Sequence, residues 1–113
     1  MIEDWPEMAA TLDASILKLR EANPQIMNAF GMMGRWAHTS GALDRKTKEL
    51  IALAIGVVTR CQPCIAYHGR DAARAGATRE EVSDMLGVAI FMGGGPATMY
   101  AAQALEAFDQ ADA

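Results

Sequence analysis

The sequence reads as an all-α domain of about six helices, and three observations lead there. Ala supplies 22 residues and Leu and Met 8 each, against 17 for Val, Ile and Thr together, so helix formers outnumber the β-branched residues that favour strands. Apolar residues recur at helical spacing along the chain. No alternating strand and no Asn-Gly or Asp-Gly hairpin turn interrupts them. At 113 residues the chain amounts to one domain.

The first helix is expected from about Asp4 to Ala22, with Met8, Leu12, Ile16 and Leu19 on one face. Asn23-Pro24 opens the second, a cap residue followed by proline at the first helical position. It runs towards Thr39-Ser40-Gly41, and Gly31 and Gly34 within it suggest close packing on a neighbour. Asp44 caps the third, which runs to about Arg60; Leu50–Val58 is apolar all round, as in a central buried helix. The fourth starts at Cys61 or Gln62, with Pro63 in its first turn, and stops at Gly76. Thr78 and Glu81 form a capping box for the fifth, which continues to Met92. Gly93-Gly94-Gly95 then breaks the chain, and Pro96 opens a sixth helix to about Asp109. Residues 1–39 form an N-terminal helical segment, its first helix less tightly tied, and residues 40–113 the core of the same domain.

Composition bounds the function. Hydrophobic residues make up 51% of the chain, which excludes intrinsic disorder. With the 2 Tyr left out and the 10 Gly added, 66 of 113 residues (58%) are apolar, above the usual range of about 45–50%, so more apolar surface than a small domain hides and hence a homo-oligomer are expected. A net charge of -4 and a pI near 5.0 speak against nucleic acid as a partner. The apolar runs, Leu50–Val58 among them, are too short to cross a membrane. The opening Met1-Ile2-Glu3-Asp4 has no basic, then apolar, signal pattern, so a cytoplasmic location is expected.

The chemistry concentrates between Glu49 and His68. Cys61, Cys64 and His68 form C-x-x-C-x-x-x-H at a helix start. Cys64 and His68, four apart, share a helical face. Unpartnered amides in the first turn favour a thiolate, the nucleophilic form. His68 is placed to take up its proton. A second cysteine lets a sulfenic acid condense to a disulfide. These parts suffice for a peroxidase or a dithiol–disulfide oxidoreductase. Glu49 lies twelve residues before Cys61. An antiparallel hairpin turning near Arg60 brings it within about one helical turn of His68, and a buried carboxylate there needs such a partner.

The pattern E-x11-C-x-x-C-x-x-x-H, filled by Glu49, Cys61, Cys64 and His68, resembles the alkylhydroperoxidase D signature within the carboxymuconolactone decarboxylase superfamily. The stretches Gly41–Ala54 and Cys64–Thr78 and the Met92–Pro96 break agree with it, over roughly residues 40–108. The resemblance implies an all-helical fold assembled as trimers or hexamers. It further implies that Cys64 is the peroxidatic thiol, Cys61 its disulfide partner, His68 the proton acceptor and Glu49 the relay carboxylate. A lipoamide-type or thioredoxin-like dithiol would be the reductant. Longer family peroxidases can carry a histidine between the cysteines, where this chain has Gln62-Pro63. Two alternatives stand beside the antioxidant peroxidase. One is a lyase or isomerase acting on a lactone or ring carboxylate through His68 and Glu49. The other is a non-enzymatic redox-sensing oligomer.

Other readings carry less. Zinc on Cys61, Cys64, His68 and Glu49 lacks the second ligand pair of structural sites, so neither metal nor cofactor is expected. Ile65 stands where a c-type haem motif needs histidine. The triple glycine lacks phosphate-loop spacing. Tyr67 lines a pocket or packs in the core. His38 has no partner nearby in sequence and reads as structural. Met27, Met32, Met33, Met85, Met92 and Met99 read as core or subunit contacts.

Overall fold

The computed structural model describes residues 1–111; the last two residues of the expected core segment lie outside them. Six helices follow in order: α1 (Trp5–Ala22), α2 (Pro24–His38), α3 (Arg45–Val58), α4 (Gln62–Arg74), α5 (Arg79–Gly93) and α6 (Gly95–Gln110). No strand occurs among the described residues, and the fold is a single all-α domain. None of the helices is long and apolar enough to cross a membrane.

Local chemistry sets the boundaries. The Asp44 carboxylate accepts from the Thr47 N–H at 2.8 Å and starts α3. The Thr78–Glu81 capping box starts α5, with both reciprocal bonds formed. Two helices end in the same motif. After α4, the Gly76 and Ala77 amides donate back to Ala73 and Ala72; after α3, the Arg60 and Cys61 amides donate back to Val57 and Gly56. Both are Schellman turns, which place one residue in the left-handed region. Gly76 (φ 90°) fills that position comfortably, whereas Arg60 (φ 59°) carries a Cβ there.

The core gathers Leu53 and Val57 of α3, Ile65, Ala66 and Ala72 of α4, Val82, Leu86 and Ala89 of α5, and the Ala97, Ala101, Ala104 and Ala107 stripe of α6. The small stripe lets helices close in. A Cβ on Gly69 would stand 2.9 Å from the Ala107 Cβ, so α4 meets α6 almost backbone to backbone.

Three expectations are corrected. First, α3 is not buried all round: Ile51, Ile55 and Val58 are exposed along one stripe. The sequence pattern marks an apolar surface, but this chain covers only one side of it. Second, α1 is firmly held at its first turn. Trp5 is buried, and its indole N–H donates to Glu106 at 3.0 Å. The same carboxylate accepts from the Ile2 and Glu3 amides. Gln110 closes the joint, accepting from the Trp5 amide and donating to the Glu3 carbonyl. The looser element is α2, which buries no residue. Third, Gly31 and Gly34 meet nothing within 4 Å, so no close helix packing within the chain accounts for them.

Candidate active site

Glu49, in the second turn of α3, is the one buried charged side chain among the described residues. It is fully enclosed, and what surrounds it defines the site. His68 on α4 brings Nδ1 to 3.2 Å from Glu49 Oε1, as the folded-back hairpin requires. From the other side, His38, the last residue of α2, brings Nε2 to 3.0 Å from the same oxygen. The two rings lie nearly parallel, 9° between planes and 5.5 Å between centroids. Both histidines of the chain therefore end on one carboxylate oxygen.

Hydrogen-bond accounting fixes part of the protonation pattern. His38 Nδ1 lies 2.8 Å from the Gly34 carbonyl oxygen. A carbonyl can only accept, so Nδ1 carries a hydrogen. The 3.0 Å contact between Nε2 and Oε1 then needs a further proton between them, because two lone pairs would repel. That proton belongs to an imidazolium facing a carboxylate or to a carboxyl group facing a neutral imidazole. His68 Nδ1 contacts the same oxygen; with its hydrogen on Nδ1 it donates there, and Nε2 is the nitrogen free of Glu49. Glu49 Oε2 is buried without a hydrogen-bond partner, an uncommon situation for such a group.

His38 is carried by a weakly packed helix, so the loop behind it does the positioning. Lys48 Nζ donates to the Thr39 carbonyl, the Arg45 amide to Ser40 Oγ at 3.1 Å, and the Gly41 amide to the Leu43 carbonyl at 2.9 Å. This stitching ties the end of α2 to the start of α3.

Cys61 and Cys64 are joined in a disulfide across the first turn of α4, with Cα atoms 5.2 Å apart. Cys61 is the N-cap, and its Sγ accepts from the Cys64 amide at 3.2 Å. α3 passes close behind: a Cβ on Gly56 would stand 3.1 Å from the Cys64 Cβ. The pair is half-buried, one turn before His68. A polar cleft of about 370 Å³ opens over the histidine–glutamate cluster. Arg35, Ser40, Arg45 and Asp71 are among its lining, with His38, Glu49 and His68 at its base; the two cysteines are not in its wall.

The structure thus brings Glu49 to His68 and joins Cys61 to Cys64. It adds His38, for which the sequence pattern suggests only a structural role. The usable signal was scarcity: a buried carboxylate needs donors, and the chain has only one other histidine. Tyr67 turns away from the cleft. Its hydroxyl donates to Asp13 Oδ1 at 2.7 Å on α1, and burial, then Asp13, pushes its pKa up to about 12; it joins α4 to α1. Of the methionines, Met85 packs against the core, while Met32, Met33, Met92 and Met99 are exposed.

Comparison with known proteins agrees with this fold. Residues 22–107 match the model of the carboxymuconolactone decarboxylase family. An uncharacterized protein of Cupriavidus necator is 42% identical over 95 residues, covering 84% of each chain. One from Haemophilus influenzae is 40% identical over 108 residues, covering 96% of each. Among solved structures, a carboxymuconolactone decarboxylase family protein from Legionella pneumophila, in its apo form, superposes with a TM-score of 0.90 at 43% identity, covering 93% of this chain and 94% of that one. A Thermotoga maritima family protein, described with a possible involvement in antioxidative response, gives 0.70 at 29% identity, covering 83% and 86%. With its six-helix fold, its C-x-x-C pair and this extent of similarity, the chain belongs to the carboxymuconolactone decarboxylase family, within the alkylhydroperoxidase D-like superfamily.

Proposed function

We propose that the protein is a thiol-dependent hydroperoxidase with an antioxidant role. The observation that carries this reading is the Cys61–Cys64 disulfide capping α4, one turn before a histidine held by a buried glutamate. In the reduced protein, the Cys64 thiolate attacks the terminal peroxide oxygen. The O–O bond breaks, the alkoxide takes a proton and leaves as an alcohol, and Cys64 becomes a sulfenic acid. The Cys61 thiol then attacks the Cys64 sulfur, and the hydroxyl leaves as water. The disulfide is the oxidised form, two electrons short of the dithiol because they have passed to the peroxide. A dithiol of the lipoamide or thioredoxin type returns them.

His68 and Glu49 handle protons in this scheme. With Nδ1 bound to Glu49, His68 has Nε2 to accept the thiol proton and pass it to the leaving alkoxide. Glu49 acts through His68, as a positioning residue. The antioxidative description of the Thermotoga neighbour supports the reading. A reducing, cytoplasmic setting suits a dithiol that must be regenerated. Exposed apolar stripes support a homo-oligomer, trimer or hexamer: Ile26, Phe30 and Met33 on α2, Ile51, Ile55 and Val58 on α3.

The direct test is Cys64→Ser. Turnover of an organic hydroperoxide with a dithiol donor is expected to vanish in the variant. Substantial turnover would remove the cysteine mechanism. One observation favours a second reading, a lyase or isomerase acting on a lactone or ring carboxylate. The cleft is walled by the histidine–glutamate cluster and two arginines but not by the cysteines. On that reading Cys64→Ser keeps activity towards such a substrate, and His68→Ala loses it.

A further inference from the structure

We infer that His38 Nε2, Glu49 and His68 Nδ1 form a binding site for a divalent first-row transition ion of the zinc class. Three separate features of the cluster agree on this. The first is the donor set. Two imidazole nitrogens and a carboxylate oxygen all lie within 4.8 Å of one another. Imidazole suits zinc, copper, iron and nickel, whereas magnesium and calcium take oxygen ligands. With metal–ligand bonds of about 2.1 Å, the 3.0 and 3.2 Å nitrogen–oxygen separations correspond to ligand angles of about 90–100°. Drawing a pair as much as 4.8 Å apart to the roughly 3.4 Å of tetrahedral ligands takes a movement of about 0.7 Å by each side chain.

The second feature is orientation. Metal-bound histidines usually donate their other ring N–H to a carbonyl or carboxylate, which fixes the tautomer. His38 does this: Nδ1–H donates to the Gly34 carbonyl at 2.8 Å, aiming Nε2 at the cluster. The third is Glu49 itself. Its side chain is 1% exposed, and Oε2 has no partner in the protein. A carboxylate that binds a cation through both oxygens, or keeps Oε2 beside the ion, resolves that cost. Three protein ligands facing an open cleft match the pattern in which a further position is left to water or substrate.

The ligand set differs from the one suggested by C-x-x-C. In the oxidised protein the two sulfurs are bonded to each other and no thiolate is available, while His38 supplies the third ligand from α2. The ion takes the place of the proton shared by His38 and Glu49, which leaves to solvent, and His68 then carries its hydrogen on Nε2 so that Nδ1 offers its lone pair. Ion binding and the proposed proton relay therefore use the same atoms and exclude one another.

The experiment uses chelator-treated protein with the disulfide intact, titrated with Zn²⁺ by calorimetry and with Co²⁺ by visible absorption. One ion per chain and Co²⁺ ligand-field bands are expected. His38→Ala and Glu49→Gln should each weaken Zn²⁺ binding at least about tenfold. The Cys61→Ser/Cys64→Ser double variant should bind like the parent. His38→Gln is the second variant should His38→Ala fail to fold, judged by its helical circular dichroism. No binding at millimolar Zn²⁺, or binding unchanged without His38, would overturn the site. Either result leaves the peroxidase reading to its own test, because no thiol takes part here.

Discussion

The α3–α4 hairpin and α2 hold the site by opposite means. The hairpin buries Leu53, Val57, Ile65 and Ala72 and fixes the disulfide against Gly56. α2 buries nothing, turns Ile26, Phe30 and Trp36 outward, and still delivers His38 to within 3.0 Å of Glu49. What it lacks in packing it makes up by hydrogen bonds from the 39–45 loop to α3. The lesson is that placing one side chain in a site does not require a large core contribution. It requires that the last turn of the element be tied down, and the polar stitches at Thr39 and Ser40 do this.

The difference can be broken most sharply from the hairpin side. Leu53→Ala removes a fully buried side chain and should cost about 2–5 kcal/mol in urea unfolding. A cost below about 1 kcal/mol would mean that the hairpin is not the stabilising half.

The turn of that hairpin offers a smaller change of opposite sign. Arg60→Gly relieves a Cβ in the left-handed region at a position where Gly76 shows the relaxed solution. After the entropy of the added glycine is subtracted, a gain of roughly 0.5–1 kcal/mol is expected, read as a raised denaturant midpoint with unchanged m-value. A loss of stability would show that the Arg60 side chain contributes more than the backbone strain costs.

The α1 joint gives a pH signature. Hydrogen bonds from the Ile2 and Glu3 amides, then from Trp5, hold the Glu106 carboxyl below its ordinary value. Its folded pKa is lowered, so the unfolded chain binds the proton more readily. The stabilisation is therefore present above the unfolded value of about 4.3 and is lost as pH falls through the folded value. Asp44 and Glu81 shift the same way. Glu106→Gln should flatten the acid limb of a stability–pH curve without abolishing it. An unchanged acid limb would show that the joint contributes nothing there.

The smallest effect belongs to α2. Phe30→Ala, at a side chain 63% exposed, should change the stability of the dilute monomer by less than about 0.5 kcal/mol. At high concentration it should matter if α2 forms an interface between copies, because association stabilises by mass action. Light scattering of the two proteins separates these cases.

These two regions also show what a single sequence can convey. Local signals were legible: Asp44, Thr78 and Glu81 as caps, Pro24 as a helix start, Gly76 as a stop. The Glu49–His68 contact was legible too, because a turn near Arg60 relates two fixed helical periods. Three things were not. The exposed stripe on α3 was hidden because periodicity marks an apolar face without saying whether the same chain covers it. The tight approach at Gly69 depends on Ala107, thirty-eight positions away, a pairing that only the tertiary fold makes. His38 depends on how the loop to α3 folds back, and no local pattern encodes that.

The central claim is that Cys64 and Cys61 reduce hydroperoxides with help from His68. Its most direct test adds one equivalent of an organic hydroperoxide to the reduced protein and follows free thiols over time. The account predicts loss of both thiols much faster than from free cysteine. Mass spectrometry should find an intramolecular 61–64 disulfide, and His68→Ala should slow the reaction by roughly 100-fold or more. Thiols that persist, or that react at the rate of free cysteine with or without His68, would contradict it.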